Sequence, residues 1–374
     1  MARCDNCASA LGLLLITGWT LTANAGEIGQ AEAKLREARQ RVAADPCYPK
    51  YHVAPPVGWM NDPHPIYFKG AYHIFYQYSC LPDDPYGGPH RWGHAAGSDL
   101  VHWRHLPVAI TPKDHGIGED RHIWSGCLVD NGGAGTAVYT IENIDVWIST
   151  SPDNDLATFR KHPGNPVIHG PPPGLEIEGG MRDPWAWKEA DGWYLIVGSG
   201  LKGGKGAVVL LDKSPDLMHW QYLHPLYQGN AAQDGGFCEC PAFFPLGDKH
   251  VLLLSNQATY LVGRYENHRF LPERRGRLDY GGVYVPQSIL DDKGRRILWG
   301  SPCWLVRRRR RLSLTERRGR SAAKEESPRW NWPPASPWCC ASSSTVQRSR
   351  YSPIAGCALR SGSTPHNLKR FRPP

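Results

Sequence analysis

The chain has 374 residues, enough for one large domain or two medium ones. It is rich in Gly (40), Pro (33) and Trp (15) and poor in Met (4), which favours an all-β protein over a helical bundle. The formal charge of +8 does not indicate a nucleic-acid partner, because residues 303–374 carry 16 Lys and Arg against 3 Asp and Glu, whereas residues 1–302 carry 27 against 32.

Residues 1–25 have the pattern of a signal peptide. An apolar run over 8–21 is followed by a small-x-small cleavage site that ends at Ala25. The run is too short to span a bilayer, so we expect a secreted or periplasmic protein without stable membrane insertion. A retained N-terminal anchor is the alternative. Residues 26–50 are rich in Ala, Glu and Arg and are expected to form a helix or spacer.

From Tyr51 onward the chain consists of short β-prone runs separated by Gly, Pro, Asn and Asp. Five of these runs lie at 71–78, 144–149, 193–198, 207–211 and 250–255. Runs of about six residues at such short spacing predict a sandwich, a barrel or a propeller.

An internal repeat distinguishes between these architectures. The segment SDLVHW at 98–103 recurs as SPDLMHW at 214–220, and a weaker copy begins at Ser151. Each copy follows a strand-like run, so the repeat predicts blades of antiparallel sheet. Trp103 and Trp220 are expected to pack between blades. We therefore predict a propeller domain over 51–302.

The pattern of short β-prone runs ends abruptly after the strand-like segment 294–300. Residues 303–374 begin with a five-Arg run at 307–311 and continue as an Arg-, Ser- and Pro-rich tail without alternation. A disordered basic tail is one explanation. The abrupt change favours the other, a shifted reading frame. A nucleic-acid role for the Arg run remains an alternative, although no nucleic-acid-binding fold surrounds it.

Three acidic residues share a sequence context: Asp62 in MNDP, Asp183 in MRDP and Glu239 in CECP. Asp62 and Asp183 stand directly before a Pro and Glu239 is separated from one by Cys240, each at the expected edge of a strand, where Pro fixes the backbone and leaves the ladder. Three blades that each contribute one such carboxylate would aim them at a common axis. A retaining glycosidase needs an ionised nucleophile and a protonated acid roughly 5–5.5 Å apart. Donors around the nucleophile are expected to keep its pKa low.

Together these segments resemble glycoside hydrolase family 32, the invertases, levanases and inulinases, over about residues 51–300. Supporting motifs are FYQ at 75–77, WGH at 92–94, WSG at 124–126 and YVPQ at 284–287. The resemblance implies an all-β, five-bladed β-propeller whose last blade is incomplete and from which the family's C-terminal β-sandwich is missing. It also implies retaining hydrolysis of β-D-fructofuranosyl linkages in sucrose, fructooligosaccharides or fructans.

The resemblance implies that Asp62 is the nucleophile, Asp183 the transition-state stabiliser and Glu239 the general acid/base. No cofactor or metal is needed. Amide groups would bind sugar hydroxyls, indole faces would pack on sugar C–H surfaces, and a guanidinium would hold Asp183 ionised. The expected substrate-binding residues are Trp59, Asn61, Gln77, Trp92, Trp124, Ser125, Arg182 and Cys240.

Two departures from the family pattern carry expectations of their own. His64 and Pro65 follow the nucleophile motif where the family usually has Asn-Gly, and His64 is expected to alter the loop and the leaving-group contacts. An unfinished last blade would leave an unpaired sheet edge and wet apolar surface, which predicts a poorly soluble or inactive chain.

Fructosyl transfer through the same carboxylates, and an inactive fructan-binding propeller or pseudogene product, are the alternative functions. The identity of the fructoside, exo or endo action, oligomeric state and disulfide pairing stay open. Cys47 and Cys80 could form a disulfide in an exported protein.

Overall fold

The computed structural model describes residues 37–302, apart from 39, 47, 50, 80–88, 113–121 and 281. The expected signal peptide, the basic tail and the two cysteines of the possible disulfide lie outside the described residues. The chain divides into two units, Met1–Tyr48 and Pro49–Pro374. In the first unit, residues 37–38 and 40–43 are helical. Of the helices that the structure describes, none has the length and apolar character needed to cross a membrane.

Within the described residues, the second unit consists of antiparallel sheets that follow one another along the chain. Sheet 1 contains β1 (Trp59–Phe68), β2 (Ala71–Ser79), β3 (Arg91–Gly97) and β4 (Arg104–Ile110). Sheet 2 contains β5 (Ile123–Asn131), β6 (Ala134–Ile141), β7 (Asp145–Thr150), β8 (Arg160–Lys161) and β9 (Ile168–His169). Sheet 3 contains β10 (Ile177–Glu189), β11 (Gly192–Leu201), β12 (Gly206–Ser214) and β13 (Gln221–Gln228).

The remaining elements complete the second unit. Helix α1 (Ala231–Asp234) is a single turn, and a 3-10 turn covers Asn256–Ala258. Sheet 4 contains β14 (Ala242–Leu246), β15 (Lys249–Leu254), β16 (Thr259–Glu266) and β17 (Arg269–Arg277). Sheet 5 contains β18 (Val283–Leu290) and β19 (Arg296–Pro302). All five predicted β-prone runs lie mainly in strands, namely β2, β7, β11, β12 and β15.

The internal repeat forms the turn that leads into the outermost strand of a blade. Asp99 Oδ1 accepts hydrogen bonds from the backbone N–H groups two and three residues further on, at 3.0 and 2.8 Å. Asp216 Oδ1 does the same at 2.8 and 3.0 Å. The indole of Trp103 packs edge-on against Trp299 of sheet 5, and Trp220 packs on the core between sheets 2 and 3. The predicted role of the repeat and of its tryptophans is confirmed.

Sheet 5 packs against both sheet 1 and sheet 4. Trp299 is buried in the same cluster as Met60 and Ile74 of sheet 1, and Leu298 packs on the core of sheet 4. The phenol of Tyr72 donates a 2.9 Å hydrogen bond to Oδ2 of Asp291 across the first of these junctions. The predicted all-β propeller arrangement is thereby confirmed, with sheets 1 to 4 as the four blades that the described residues form.

Candidate active site

The acidic residues lie at or beside sharp local kinks of the backbone, two of them in the innermost strands β1 and β10. The kinked residues have positive φ angles and are Asp62 (47°), Asp183 (64°), Cys240 (45°) and Val285 (49°), each immediately before a Pro. A non-glycine residue in this region costs of order 1–3 kcal/mol, and it persists only where the surroundings fix it. In β1, β10 and β18 the kink coincides with a register shift. For β1 and β10, the expectation of Pro at strand edges is corrected, because a bulge lets the strand continue past a residue that lacks an N–H.

The kinks face a common cavity of about 230 Å³. It is lined by Trp59, Asn61, Asp62, Gln77, Trp124, Asn143, Arg182, Asp183, Glu239, Cys240 and Tyr284. The structure thus brings together the three predicted carboxylates, from β1, from β10 and from the segment just before β14. It also brings in six of the eight predicted substrate-binding residues.

Asp62 lies deep in the cavity, 7% exposed. Ser125 Oγ donates a 2.5 Å hydrogen bond to Asp62 Oδ2, and Gln77 Nε2 donates a 2.7 Å bond to Ser125 Oγ. Burial raises the pKa of Asp62 to about 7, and the Ser125 bond only partly opposes this rise. The expectation of a low pKa for this residue is corrected, since one hydroxyl donor does not compensate for the loss of water.

Asp183 is held by backbone and side-chain groups from three directions. Its N–H donates to Thr140 Oγ1 at 3.0 Å, and the N–H of Cys240 donates to its Oδ2 at 3.0 Å. Arg182 Nε lies 3.6 Å from the same oxygen. Burial raises the pKa of Asp183 to about 6, against the opposing effect of the Arg182 charge. The guanidinium therefore favours the ionised form of Asp183 but does not outweigh burial.

Glu239 stands between two donors. Arg182 Nη2 donates to its Oε1 at 2.6 Å, and the phenol of Tyr284 donates to its Oε2 at 2.6 Å. The side chain of Glu239 is 33% exposed, whereas that of Asp183 is 5% exposed. Burial, together with the neighbouring carboxylates, raises the pKa of Tyr284 far above its usual range, so the phenol keeps its proton. Glu239 is thus the carboxylate nearest to the opening.

Two predicted substrate-binding residues do not line the cavity. Trp92 is fully buried in the core between sheets 1 and 2, where its Nε1 donates a 2.9 Å hydrogen bond to the backbone oxygen of Trp124. The predicted sugar contact of Trp92 is corrected to support of Trp124. Ser125 is buried behind Asp62 and acts on that carboxylate.

His64 lies in strand β1, 1% exposed, and stacks on Trp92 with ring centroids 4.4 Å apart. Burial lowers the pKa of His64 to about 3, so the ring is neutral. The expected effect of His64 on a loop and on leaving-group contacts is corrected. The strand continues beyond the bulge at Asp62 and directs the imidazole into the core between sheets 1 and 2.

Sequence reasoning assigned no role to two residues that line the cavity. Tyr284 occupies the position before a kinked residue and Pro, as Asn61, Arg182 and Glu239 do, and alignment of these repeats would have identified it. Asn143 lies in the turn between β6 and β7 with a φ of 61°. Asn favours such a turn position, but no catalytic motif marks it. Among the described residues, no group of three or more His, Cys, Asp or Glu side chains is arranged to hold a metal ion.

Comparison with known proteins agrees with this geometry. The family model of the glycosyl hydrolases family 32 N-terminal domain matches residues 52–308. Sucrose-6-phosphate hydrolase of Escherichia coli is 35% identical over 306 residues, which cover 73% of this chain and 61% of that protein. The chain therefore spans about three fifths of that curated relative.

Solved structures give the same result. A β-fructofuranosidase of Bombyx mori is 34% identical with a TM-score of 0.59, and the match covers 72% of this chain and 62% of that one. Fructan 1-exohydrolase IIa of Cichorium intybus is 31% identical with a TM-score of 0.61, covering 69% and 54%. With the family model matched over most of the propeller, the chain belongs to family 32 of the glycosyl hydrolases.

Proposed function

We propose that this chain hydrolyses β-D-fructofuranosyl linkages with retention of configuration at the anomeric carbon. The observation that carries this proposal is the convergence of Asp62, Asp183 and Glu239 on one cavity. The names of similar proteins support it, among them a β-fructofuranosidase of Oryza sativa and a fructan 1-exohydrolase of Triticum aestivum. Substrates of this chain are accordingly proposed to be sucrose and related fructosides.

In the first step, an oxygen of Asp62 attacks the anomeric carbon of the fructosyl unit. The bond from that carbon to the leaving oxygen breaks, and Glu239 gives this oxygen its proton. In the second step, Glu239 takes a proton from water, the water oxygen attacks the same carbon, and Asp62 leaves as a carboxylate. Two displacements restore the original configuration.

The positions of the carboxylates suit these roles. Glu239 lies at the more exposed side, where a leaving group and later a water molecule have access. Asp62 and Asp183 lie deeper, at 7% and 4% exposure, and both face the volume that a fructosyl ring would fill. A negative charge on Asp183 would stabilise the cation-like transition state and accept hydrogen bonds from ring hydroxyls.

Replacing Asp62 by Asn tests the proposal. Asn tolerates the positive φ of this position, so the fold should be retained. We expect hydrolysis of sucrose to fall by at least about 10⁴-fold, in line with the loss of other catalytic nucleophiles. Asp130→Asn is the matched control, because Asp130 is an exposed residue whose Oδ1 accepts from Gly133 N–H.

The configuration of the first-formed fructose, followed by NMR, tests the double displacement separately. An unchanged rate in Asp62→Asn would remove the nucleophile assignment, and an inverted first product would exclude a covalent intermediate on Asp62.

We infer that sheet 5 is the inner part of a fifth blade. Val285 repeats the positive φ of the other kinked residues, and Pro286 follows it as in three other blades. Sheet 5 also packs on both neighbouring blades, which a member of the ring must do.

We also propose that the protein is exported, with cleavage near Ala25. The support is the apolar run followed by a small-x-small site at the N-terminus. Mass spectrometry of the protein purified from culture medium or periplasm should find an N-terminus close to Gly26. Recovery of a chain that still carries residues 1–25 would contradict export with cleavage.

A further inference from the structure

Asn143 is held firmly at the margin of the cavity by its backbone. It lies in the β6–β7 turn, and its carbonyl oxygen accepts a 2.9 Å hydrogen bond from the N–H of Met181. Gly180, at a φ of 82°, packs so closely that a Cβ on it would collide with this carbonyl. The turn is therefore fixed against the strand that carries Asp183.

The side chain of Asn143, by contrast, is free to bind. In the described part of the chain its carboxamide has no hydrogen-bond partner, although the residue lines the cavity. Asn143 is half-buried, as Glu239 is, whereas Asp62 and Asp183 are buried. Since Glu239 would protonate the bond between the fructosyl unit and the leaving group, groups on its side of the cavity are placed to contact the leaving group.

The charges at this side of the cavity disfavour an anionic leaving group. Among the described residues that line the cavity, the one cationic side chain is Arg182, and it is already paired with Glu239 and Asp183. The exposed carboxylate of Glu142, next to Asn143, accepts a 3.0 Å hydrogen bond from the N–H of His122. A phosphorylated sugar would thus find no unpaired cation among the described residues of this part of the wall, and the Glu142 carboxylate would repel it.

We propose that Asn143 binds hydroxyl groups of the leaving group and that this leaving group is a neutral, unphosphorylated sugar. The inference rests on the proposed fructosidase function and names the class of its substrate. A carboxamide can donate and accept, which suits a sugar hydroxyl. The neutral leaving group distinguishes the substrate proposed for this chain from the phosphorylated sugar in the names of relatives called sucrose-6-phosphate hydrolase.

The test compares two fructosyl donors in Asn143→Gly. Gly removes the carboxamide and tolerates the positive φ of the turn. The donors are sucrose and methyl β-D-fructofuranoside, which has no leaving-group sugar. We expect kcat/KM for sucrose, divided by kcat/KM for the methyl glycoside, to fall about 5- to 10-fold. This is the size that the loss of one neutral hydrogen bond predicts. Asn267→Gly is the matched control, because Asn267 is an exposed Asn at a φ of 51° in the β16–β17 turn.

The outcomes separate this inference from the proposed function. An equal loss with both donors would overturn the leaving-group role of Asn143. For the wild-type protein, kcat/KM for sucrose phosphorylated on its glucosyl 6-hydroxyl should be at least about 10-fold below that for sucrose, because like charges repel and no cation compensates. Equal or faster cleavage of the phosphorylated sugar would overturn the neutral leaving group. If the wild type cleaves none of the three donors, the proposed function itself fails.

Discussion

Tyr284, in β18, and Glu239, just before β14, lie 45 positions apart and are joined by a 2.6 Å hydrogen bond from the phenol to Oε2. Arg182 donates to the other carboxylate oxygen, so each oxygen of Glu239 accepts one hydrogen bond and its side chain is held in one orientation. A general acid works only within hydrogen-bond reach of the oxygen it protonates. The phenol is therefore placed to position Glu239 and acts through it.

Replacing Tyr284 by Phe removes the hydrogen bond that the phenol donates to Glu239. We expect kcat for sucrose to fall about 10-fold, since one hydrogen bond that positions the general acid is worth about 1–1.5 kcal/mol. Steady-state kinetics measures the loss. Tyr227→Phe is the matched control, because Tyr227 donates a 3.0 Å bond to Asp234 outside the cavity lining.

A double-mutant cycle shows whether Tyr284 acts through Glu239. In a Glu239→Gln background, Tyr284→Phe should have almost no further effect on kcat, because substitutions of residues that act as a unit have non-additive effects. Full additivity of the two losses would mean that Tyr284 acts independently of Glu239.

Ser125→Ala should shift the pH dependence of activity. Ser125 lowers the pKa of Asp62 through its hydrogen bond, so without it the pKa rises above the present value of about 7. The nucleophile must be ionised, and the acid limb of the kcat/KM profile should therefore move to higher pH, by about one unit for one hydrogen bond.

A kinetic profile between pH 5 and 9 measures this shift. The control is Ser149→Ala, which removes a hydroxyl that is paired with Tyr139 outside the cavity lining. A profile that stays in place while the rate falls would assign Ser125 a role other than tuning Asp62.

Asp62→Asn should change how the stability of the fold depends on pH. The folded pKa of Asp62 is about 7 and its ordinary value is 3.8, so between these values the folded state binds more protons than the unfolded state. Wild-type stability consequently falls as pH rises through this window, and Asn, which cannot ionise, does not contribute to that fall.

The stability advantage of Asp62→Asn over wild type should grow by about 2 kcal/mol between pH 5 and pH 8. Urea unfolding at the two pH values measures it, with Asp130→Asn as the exposed control. An advantage that is the same at both pH values would show that Asp62 does not titrate within this range.

Trp299→Ala should destabilise the ring where sheet 5 meets sheet 1. The indole is 1% exposed and packs on Trp103, so its removal should cost about 3–5 kcal/mol. Leu290→Ala, in the same sheet but 54% exposed, should stay within about 0.5 kcal/mol of wild type. Chemical unfolding compares them, and similar losses in the two variants would contradict the packing role of sheet 5.

Local patterns predicted much of this fold. The β-prone runs became strands because alternating and continuous apolar runs report burial along a strand. The two copies of the Asp-Leu-x-x-Trp repeat became equivalent turns because Asp99 and Asp216 each accept a hydrogen bond from the backbone N–H three residues further along the chain. Such contacts lie within a few positions and need no distant partner.

Other properties could not be predicted from local pattern. Trp92 and His64 are aromatic residues in motifs near the site, and both point into the core. The side of a strand on which a residue lies depends on where a bulge changes the register, and the bulge after Asn61 depends on pairing with β2. Asn143 had no motif, and its place in the cavity follows from the contact of its turn with β10.

The sequence by itself determined which carboxylates the protein possesses and the short motifs around them, because these depend on covalent neighbours and local backbone preference. The tertiary structure alone decided that Asp62, Asp183 and Glu239 face one cavity and that Asp62 has a pKa of about 7. The pKa depends on which groups have replaced water around the carboxylate, and those groups come from different blades that only the closed ring brings together.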